Sequence, residues 1–229
     1  MNISVAQRLA DQGYCALPAD AWSRPTEPGQ AEFLASYESL CQDQHMADGG
    51  TYRFRRYSRL LLRRGQLARL EGNSIFQTLE DNPLNGGVKR TFEPILPEIL
   101  ATPFLSALVQ QDARQLALNP ESEWEVGLHC VRIRATPEQF GHPAPEGIHR
   151  DSEDFTVQHV LARHQVQGGV FTAYNEQHQP IFHWLQTRSW DTIFFRGDLW
   201  HGVTPVRSQI GGYRDILLVD FCKRPAQEK

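Results

Sequence analysis

The chain has 229 residues, a formal net charge of −4 and 40% hydrophobic residues, including 12 Phe, 6 Tyr and 5 Trp; that excludes a disordered chain and leaves no overall field drawing it to nucleic acid or an anionic membrane. Cysteines stand at 15, 41, 130 and 222 with no CxxC, which excludes a cysteine zinc cage and suits free thiols in the reducing cytoplasm. The first residues lack the basic stretch and apolar run of a secretory signal, and nothing approaches the roughly 18 consecutive apolar residues of a membrane helix, so no membrane partner is expected.

Ile3, Val5, Ala6, Leu9 and Ala10 form a helical stripe over 3–12 that Gly13 stops, and Tyr14 to Leu17 follows as a short strand. Proline and tryptophan punctuate 18–28. A second helix is predicted over 29–44, with Phe33, Leu34, Tyr37, Leu40 and Cys41 on one side, before Asp48-Gly-Gly50 breaks the chain.

The strand after that break, TYRFRRYSRLLLRRG, begins a stretch with seven arginines between Arg53 and Arg69 and no acid. Alternation puts Arg53, Arg55, Tyr57 and Arg59 on one face and Phe54, Arg56, Ser58 and Leu60 on the other. A nucleic-acid patch is one reading of such a stretch, but the chain is acidic overall and has no second basic cluster. Solvated arginines, or an odd-numbered face meeting an anionic substrate group, fit better.

A connector with an NGG turn at 85–87 covers 73–92. Pro94 to Leu118 reads as one or two helices interrupted by Pro97 and Pro103, burying Phe104, Leu105, Leu108 and Val109. Beyond Pro120 the pattern becomes strand after short strand, near 124–134, 154–164, 168–175, 180–185, 191–195, 203–206 and 213–221. Turn signals separate them at Pro143 and Pro145, Gly168-Gly169, Asn175, Gly197-Asp198 and Gly211-Gly212. This texture predicts an antiparallel sandwich or barrel. With no linker between the halves, the expectation is one domain over 1–229, in which a helical or mixed part, 1–120, packs on a β-core, 121–229.

The chemistry concentrates in His149-Arg150-Asp151 and in His201. Residues i and i+2 of an extended chain project to the same side, so His149 and Asp151 can reach one cation while Arg150 points away. His201, between the apolar TIFF strand and the GVTP turn, supplies a third ligand. Two imidazoles and one carboxylate occupy one face of an octahedron and leave three positions open, the facial triad of non-haem Fe(II) oxygenases; a structural zinc site closes its four. Glu153 and Asp154 are rival carboxylates at less suitable offsets from His149. Arg214 shares a face of the last strand with Ile216 and Leu218, where a buried guanidinium would take a carboxylate bidentately. Its rival, Arg207, follows a turn and is expected to be exposed. His129 lines a pocket or packs in the core, His159 and His164 lie on opposite faces of one strand, and Trp200 reads as a core wedge.

Several pieces in order, YRFRRYS at 52–58, NGGVKRTFEP at 85–94, HCVRI at 129–133, PEGIHRDSEDF at 145–155, GG at 168–169, HGVTPV at 201–206 and YRDILLVDF at 213–221, resemble the bacterial 2-oxoglutarate/Fe(II)-dependent dioxygenase family that includes L-isoleucine dioxygenase and related hydroxylases of free amino acids. The resemblance covers most of the chain. It implies a mainly β fold with N-terminal helices and a double-stranded β-helix core, jelly-roll and cupin-like. It carries the metal ligands onto His149, Asp151 and His201 and the carboxylate of 2-oxoglutarate onto Arg214. Two stretches depart from the family pattern: the usual Arg-x-Asn before the glycine pair reads Arg163-His164-Gln165, and the acidic pair that often precedes the distal histidine is replaced by Arg196-Gly197-Asp198.

The expected reaction is hydroxylation of an unactivated C–H bond of a small substrate, a free amino acid or similar zwitterion, with Fe(II), 2-oxoglutarate and O2. Arg53, Arg55 and Arg163 are the candidates for the substrate carboxylate. The alternatives are a cupin-like barrel that binds a metal or ligand without oxygenase turnover, and an oxygenase acting on peptide or nucleic acid.

Overall fold

A computed structural model describes residues 3–79, 84 and 86–225. Helix α1 (Val5–Gln12) starts at Ser4, whose Oγ accepts from Gln7 N at 3.2 Å, and ends at Gly13, φ +83°, whose N–H reaches Leu9 O. Strand β1 (Tyr14–Leu17) follows. The helix expected over 29–44 is shorter: α2 is Gln30–Ala35, then Ser36–Ser39 tightens into a 3-10 turn and Cys41–Gln42 is already β2. The Ser36 and Ser39 hydroxyls donate to Phe33 O and Ser36 O, competing with the backbone for the carbonyls that a continuing α-helix needs.

Strands β3 (Arg53–Arg63) and β4 (Gln66–Arg69) form a hairpin. The expected connector holds a small antiparallel ribbon, β5 (Ser74–Phe76) with β6 (Lys89–Thr91); Asn85, first residue of the expected NGG turn, lies outside the described residues. Helix α3 (Pro97–Leu100) precedes α4 (Pro103–Gln115), which is capped by Thr102 with proline at its first position. The second half is β7 (Trp124–Ala135), β8 (Phe155–His164), β9 (Gln167–Gly168), β10 (Phe171–Tyr174), β11 (Pro180–Trp184), β12 (Thr192–Arg196), β13 (Trp200–Val203), β14 (Val206–Arg207) and β15 (Gly212–Lys223).

The large antiparallel sheet runs β1-β12-β8-β15-β7-β3-β2, with β4 added to β3. Opposite it lie the three-stranded sheet β11-β10-β13 and the β14-β9 ribbon. This is the two-layered jelly-roll arrangement expected. Alternation divides the large sheet between two environments. Leu60 and Leu62 of β3, Val126, Leu128 and Cys130 of β7, and Leu217, Val219 and Phe221 of β15 share one buried core with Phe33, Phe104, Leu105 and Leu108 of the helices. The other face carries Arg53 and Arg55, His129 and Val131, Ile216, Leu218 and Asp220, which line a pocket.

Register aligns the inner face in rows. Arg53, Ile133, Arg214 and Arg163 lie side by side across β3, β7, β15 and β8, and Tyr57, His129, Leu218 and Gln158 form another row. A bulge opposite Asp215 and Ile216 adds a residue to β8 and brings Arg163, which strict alternation from Gln158 would turn outward, onto the inner face.

Candidate metal centre

His149 and Asp151 stand on the segment between β7 and β8, and that segment is pinned in place by backbone bonds. His149 and His201 exchange both N–H···O bonds at 2.9 Å, and Asp151 N donates to Gly197 O at 2.9 Å. His201 itself lies within β13, paired with Ala173 of β10, one turn earlier than the strand expected at 203–206. Gly197 is required here: a Cβ at this residue would stand 1.7 Å from Glu153 O and 3.0 Å from Asp151 O.

The three side chains converge. Nε2 of His149 is 3.7 Å from Asp151 Oδ1, and Nε2 of His201 is 3.8 Å from Asp151 Oδ2; the ligand atoms all lie within 4.8 Å of one another. Each imidazole donates Nδ1–H to a backbone carbonyl, His149 to Gly147 O at 3.1 Å and His201 to Leu199 O at 3.0 Å. That fixes the tautomer and leaves each Nε2 lone pair facing the carboxylate. Burial, reinforced by His149, pushes the His201 imidazole down to about 4, so it is neutral and able to ligate at physiological pH. The Thr156 hydroxyl donates to Asp151 Oδ2 at 3.1 Å and orients it. Among the described residues no other group of three His, Cys, Asp or Glu side chains comes together this way. The donor set fits iron: two neutral nitrogens and one carboxylate on one side of an open pocket.

Of the rival carboxylates, Asp154 turns away and accepts from Lys223 N at 2.6 Å. Glu153 lines the pocket, and burial, then Asp220 and Asp151, push its carboxyl up to about 8.

Arg214 lies beyond Ile216 and Leu218 on the inner face of β15, wholly buried at 0% exposure. Among the described residues it meets no carboxylate. Its Nη2 is 3.4 Å from Gln186 Oε1, while Nε and Nη1 have no partner. Burial and the neighbouring Arg163 hold it down at about 9. A buried guanidinium left open in this way is complementary to an anion.

The model of the family described as 2OG-Fe dioxygenase matches residues 34–220. The chain belongs to that family.

As a 2OG-Fe dioxygenase it uses Fe(II), 2-oxoglutarate and O2. It is 28% identical over 241 residues, 95% of each chain, to the 3(1)-hydroxy-L-isoleucine 4-dioxygenase of Pantoea ananatis (strain AJ13355), and 27% identical over 156 residues, 65% of each chain, to the L-isoleucine-4-hydroxylase of Bacillus thuringiensis. The crystal structure of a bsmA homolog from Methylobium petroleophilum PM1 superposes with a TM-score of 0.81 at 27% identity, covering 97% of this chain and 94% of that one. That of IDO from Bacillus thuringiensis has a TM-score of 0.79 at 22% identity, covering 96% and 98%, and shares the fold.

The dioxygenase pocket sorts the remaining candidates. Arg53 and Arg55 line it with the triad. Arg163 does not: it sits beside Arg214, its Nη2 donating to Gly168 O at 2.8 Å and its Nη1 unpartnered. His129 also lines the pocket, with Nε2 2.5 Å from Asp220 Oδ2 and Nδ1 against Arg55 Nη2. His159 is buried on the helix-facing side, 2.9 Å from Asp112 of α4, and His164 is exposed. Arg207 is exposed, its guanidinium over the Phe140 ring. Trp200 is not a core wedge. It is half-buried, covered by the Arg150 guanidinium at 4.3 Å, and donates to Glu176 at 3.4 Å, while Arg150 points away from His149 and Asp151 to the same glutamate. Two pocket residues, Arg90 and Glu146, were not singled out in the sequence. Glu146 lies three residues before His149, but Arg90 sits in a stretch with no periodicity and reaches the site because the chain just after β6 is bonded to β3, Tyr57 N donating to Glu93 O at 2.9 Å.

Proposed function

We propose that this 2OG-Fe dioxygenase hydroxylates an unactivated C–H bond of a small free amino acid, with Fe(II) held by His149, Asp151 and His201 and the distal carboxylate of 2-oxoglutarate paired with Arg214. The observation that carries this reading is the pairing of the triad with a fully buried arginine whose Nε and Nη1 have no protein partner. The bound metal supplies the oxidation, in which O2 is consumed, 2-oxoglutarate becomes succinate and CO2, and a C–H bond becomes C–OH. The protein supplies the rest. The carbonyls of Gly147 and Leu199 hold the histidines in the ligating tautomer, Thr156 orients Asp151, and Arg214 and Arg163 form a cationic end for the co-substrate. Val131, Ile133, Ile216 and Leu218 keep the space between dry. Arg53, Arg55 and Arg90, which line the same pocket, are the arginines available to a substrate carboxylate.

The names of the two curated relatives support an amino acid as substrate. One dioxygenase domain over 1–229 is supported by a core that draws on both halves of the chain. No helix among the described residues is long and apolar enough to cross a membrane, and the four cysteines are free, which supports a place in the reducing cytoplasm. The test is succinate release from 2-oxoglutarate with Fe(II), O2 and a panel of free amino acids. Substrate-dependent succinate, with an oxygen atom recovered in the amino acid, is expected. Binding of 2-oxoglutarate with no amino acid stimulating succinate above background would reject the substrate class.

A further inference from the structure

The pocket around the triad has two walls of opposite charge. On one, Arg53 and Arg90 project from β3 and β6, 6% and 4% exposed. Arg53 Nε donates to Asp43 at 2.8 Å, but its Nη2 is buried without a partner. Arg90 gives Nη2 to Gln77 Oε1, and its Nε is likewise buried and unpartnered. Arg55, on the same wall, also has a buried, unpartnered Nε, but its Nη2 lies against His129 and its guanidinium stacks on the Phe92 ring at 4.4 Å, so it is held more fully than the other two. On the other wall is Glu146, from the loop before His149. Its side chain is 10% exposed, with Oε1 3.5 Å from His149 Nε2 and Oε2 without a partner. Ile75 and Pro143 contribute apolar surface to the same space.

Buried polar atoms are nearly always paired, and open charged ones in a pocket mark places that a ligand completes. The open groups here are guanidinium donors on one side and a carboxylate acceptor on the other, within the same cavity as the metal ligands. Among the described residues no side chain completes the two sets. A neutral ligand would leave both uncompensated, and a simple carboxylate would leave Glu146 unpaired.

We propose that Arg53 and Arg90 receive the α-carboxylate of the substrate and Glu146 receives its α-ammonium, so that the site reads an α-amino acid free at both ends. The proposal rests on the amino-acid reading above and sharpens it: an amide at the carboxyl end, or removal of the amine, should each cost binding independently. Asp43 holds Arg53 in place from behind as a positioning residue. Arg214 and Arg163, at the far end of the inner face, serve 2-oxoglutarate and not the substrate.

The test is binding and turnover together, on Fe(II)-loaded enzyme with 2-oxoglutarate. The best amino acid from the panel is compared with its carboxamide and with its α-hydroxy-acid analogue, in the native chain, Arg90→Met, Arg90→Lys and Glu146→Gln. In the native chain both analogues should lose about 10- to 100-fold in kcat/KM, the range for one charged hydrogen-bonded contact. Arg90→Met should raise the KM for the amino acid about as much and abolish the preference for acid over amide. Arg90→Lys should restore part of that preference. Glu146→Gln should abolish the preference for amine over hydroxyl and leave acid over amide intact. The anaerobic absorption band of the Fe(II)–2-oxoglutarate complex, unchanged in all three variants, shows that they fold and hold the co-substrate. Variants with the band and native preferences would overturn the assignment of these residues. A native enzyme active on amino acids yet indifferent to both analogues would overturn the two-ended recognition itself. No amino-acid turnover by any chain would remove the reading beneath it, and the proposal with it.

Discussion

Arg214 is the residue whose environment demands a ligand most plainly. A cation with no exposed surface and no carboxylate partner destabilises the fold around it. Its value of about 9 lies well below the ordinary range of an arginine, so the folded chain binds fewer protons than the unfolded one between those limits. That cost is therefore fully present at neutral pH and diminishes only as pH rises through about 9. An anion that pairs with Arg214 removes the cost where it is largest. Arg214→Met should thus act in two directions: the ligand-free protein should melt at a higher temperature than the native chain, while the stabilisation given by 2-oxoglutarate disappears and its KM rises about 10- to 100-fold. Thermal melts with and without 2-oxoglutarate check both; a lower ligand-free melting temperature with 2-oxoglutarate stabilisation intact would contradict the role. At this scale the sequence was most legible where chemistry follows from local spacing. His149 and Asp151 share a side because they are two apart, and alternation from Leu218 puts Arg214 inward. Arg90 and Glu146 were not legible, because their meaning depends on which other side chains they face across the pocket.

Among elements, the turn between β9 and β10 packs against the two guanidinium groups, Arg163 and Arg214, proposed to receive 2-oxoglutarate. Gly168 and Gly169 both have positive φ, +78° and +74°, and a Cβ on Gly168 would stand 2.1 Å from Pro205 O. A Cβ on Gly169 would stand 3.2 Å from Arg214 Cδ and 3.1 Å from Arg163 Nη1. Gly169→Ala therefore combines backbone strain with pressure on both guanidinium groups. The expected result is a higher KM for 2-oxoglutarate with little change in KM for the amino acid, measured by succinate release; equal shifts in both would show general damage. The bulge in β8 belongs to the same region and turns Arg163 inward beside Arg214, which alternation alone cannot reveal. The strands of 124–221 were readable from their turns and apolar alternation. The β5-β6 ribbon was not, since three-residue strands brought together from 74 and 91 leave no periodic trace. The second helix was overextended because its apolar stripe continues through Tyr37 and Leu40 after the serine hydroxyls have ended the α-helical bonding.

For the whole molecule, the large sheet separates two kinds of interior. One face and the helices enclose an aliphatic and aromatic core built on Phe33, Phe104, Trp190 and Phe221, all almost fully buried. The other face presents arginines, histidines and acids to the pocket, with His149, Asp151 and His201 toward Asp220 and Arg214 at the opposite end of β15. The arginine-rich stretch beginning at Arg53 follows the same division. Its first members turn into the pocket, while Arg59, Arg63 and Arg64 are paired with Glu125, Glu123 and Glu121 at 2.6, 3.4 and 3.4 Å. The mainly β core, its helical cover and the order of the strands were legible from composition and punctuation; the closing of the pocket by β6 and by the loop that carries Glu146 arises only on folding. Iron and 2-oxoglutarate are proposed to meet at His149, Asp151 and His201. The most direct measurement is the anaerobic absorption band formed when Fe(II) and 2-oxoglutarate are added together to the intact chain. It should appear with one equivalent of iron in the native protein and vanish in His149→Ala, Asp151→Ala and His201→Ala while each variant remains folded by circular dichroism. A native chain that binds iron and 2-oxoglutarate without the band, or an Asp151→Ala variant that keeps it, would contradict the assignment.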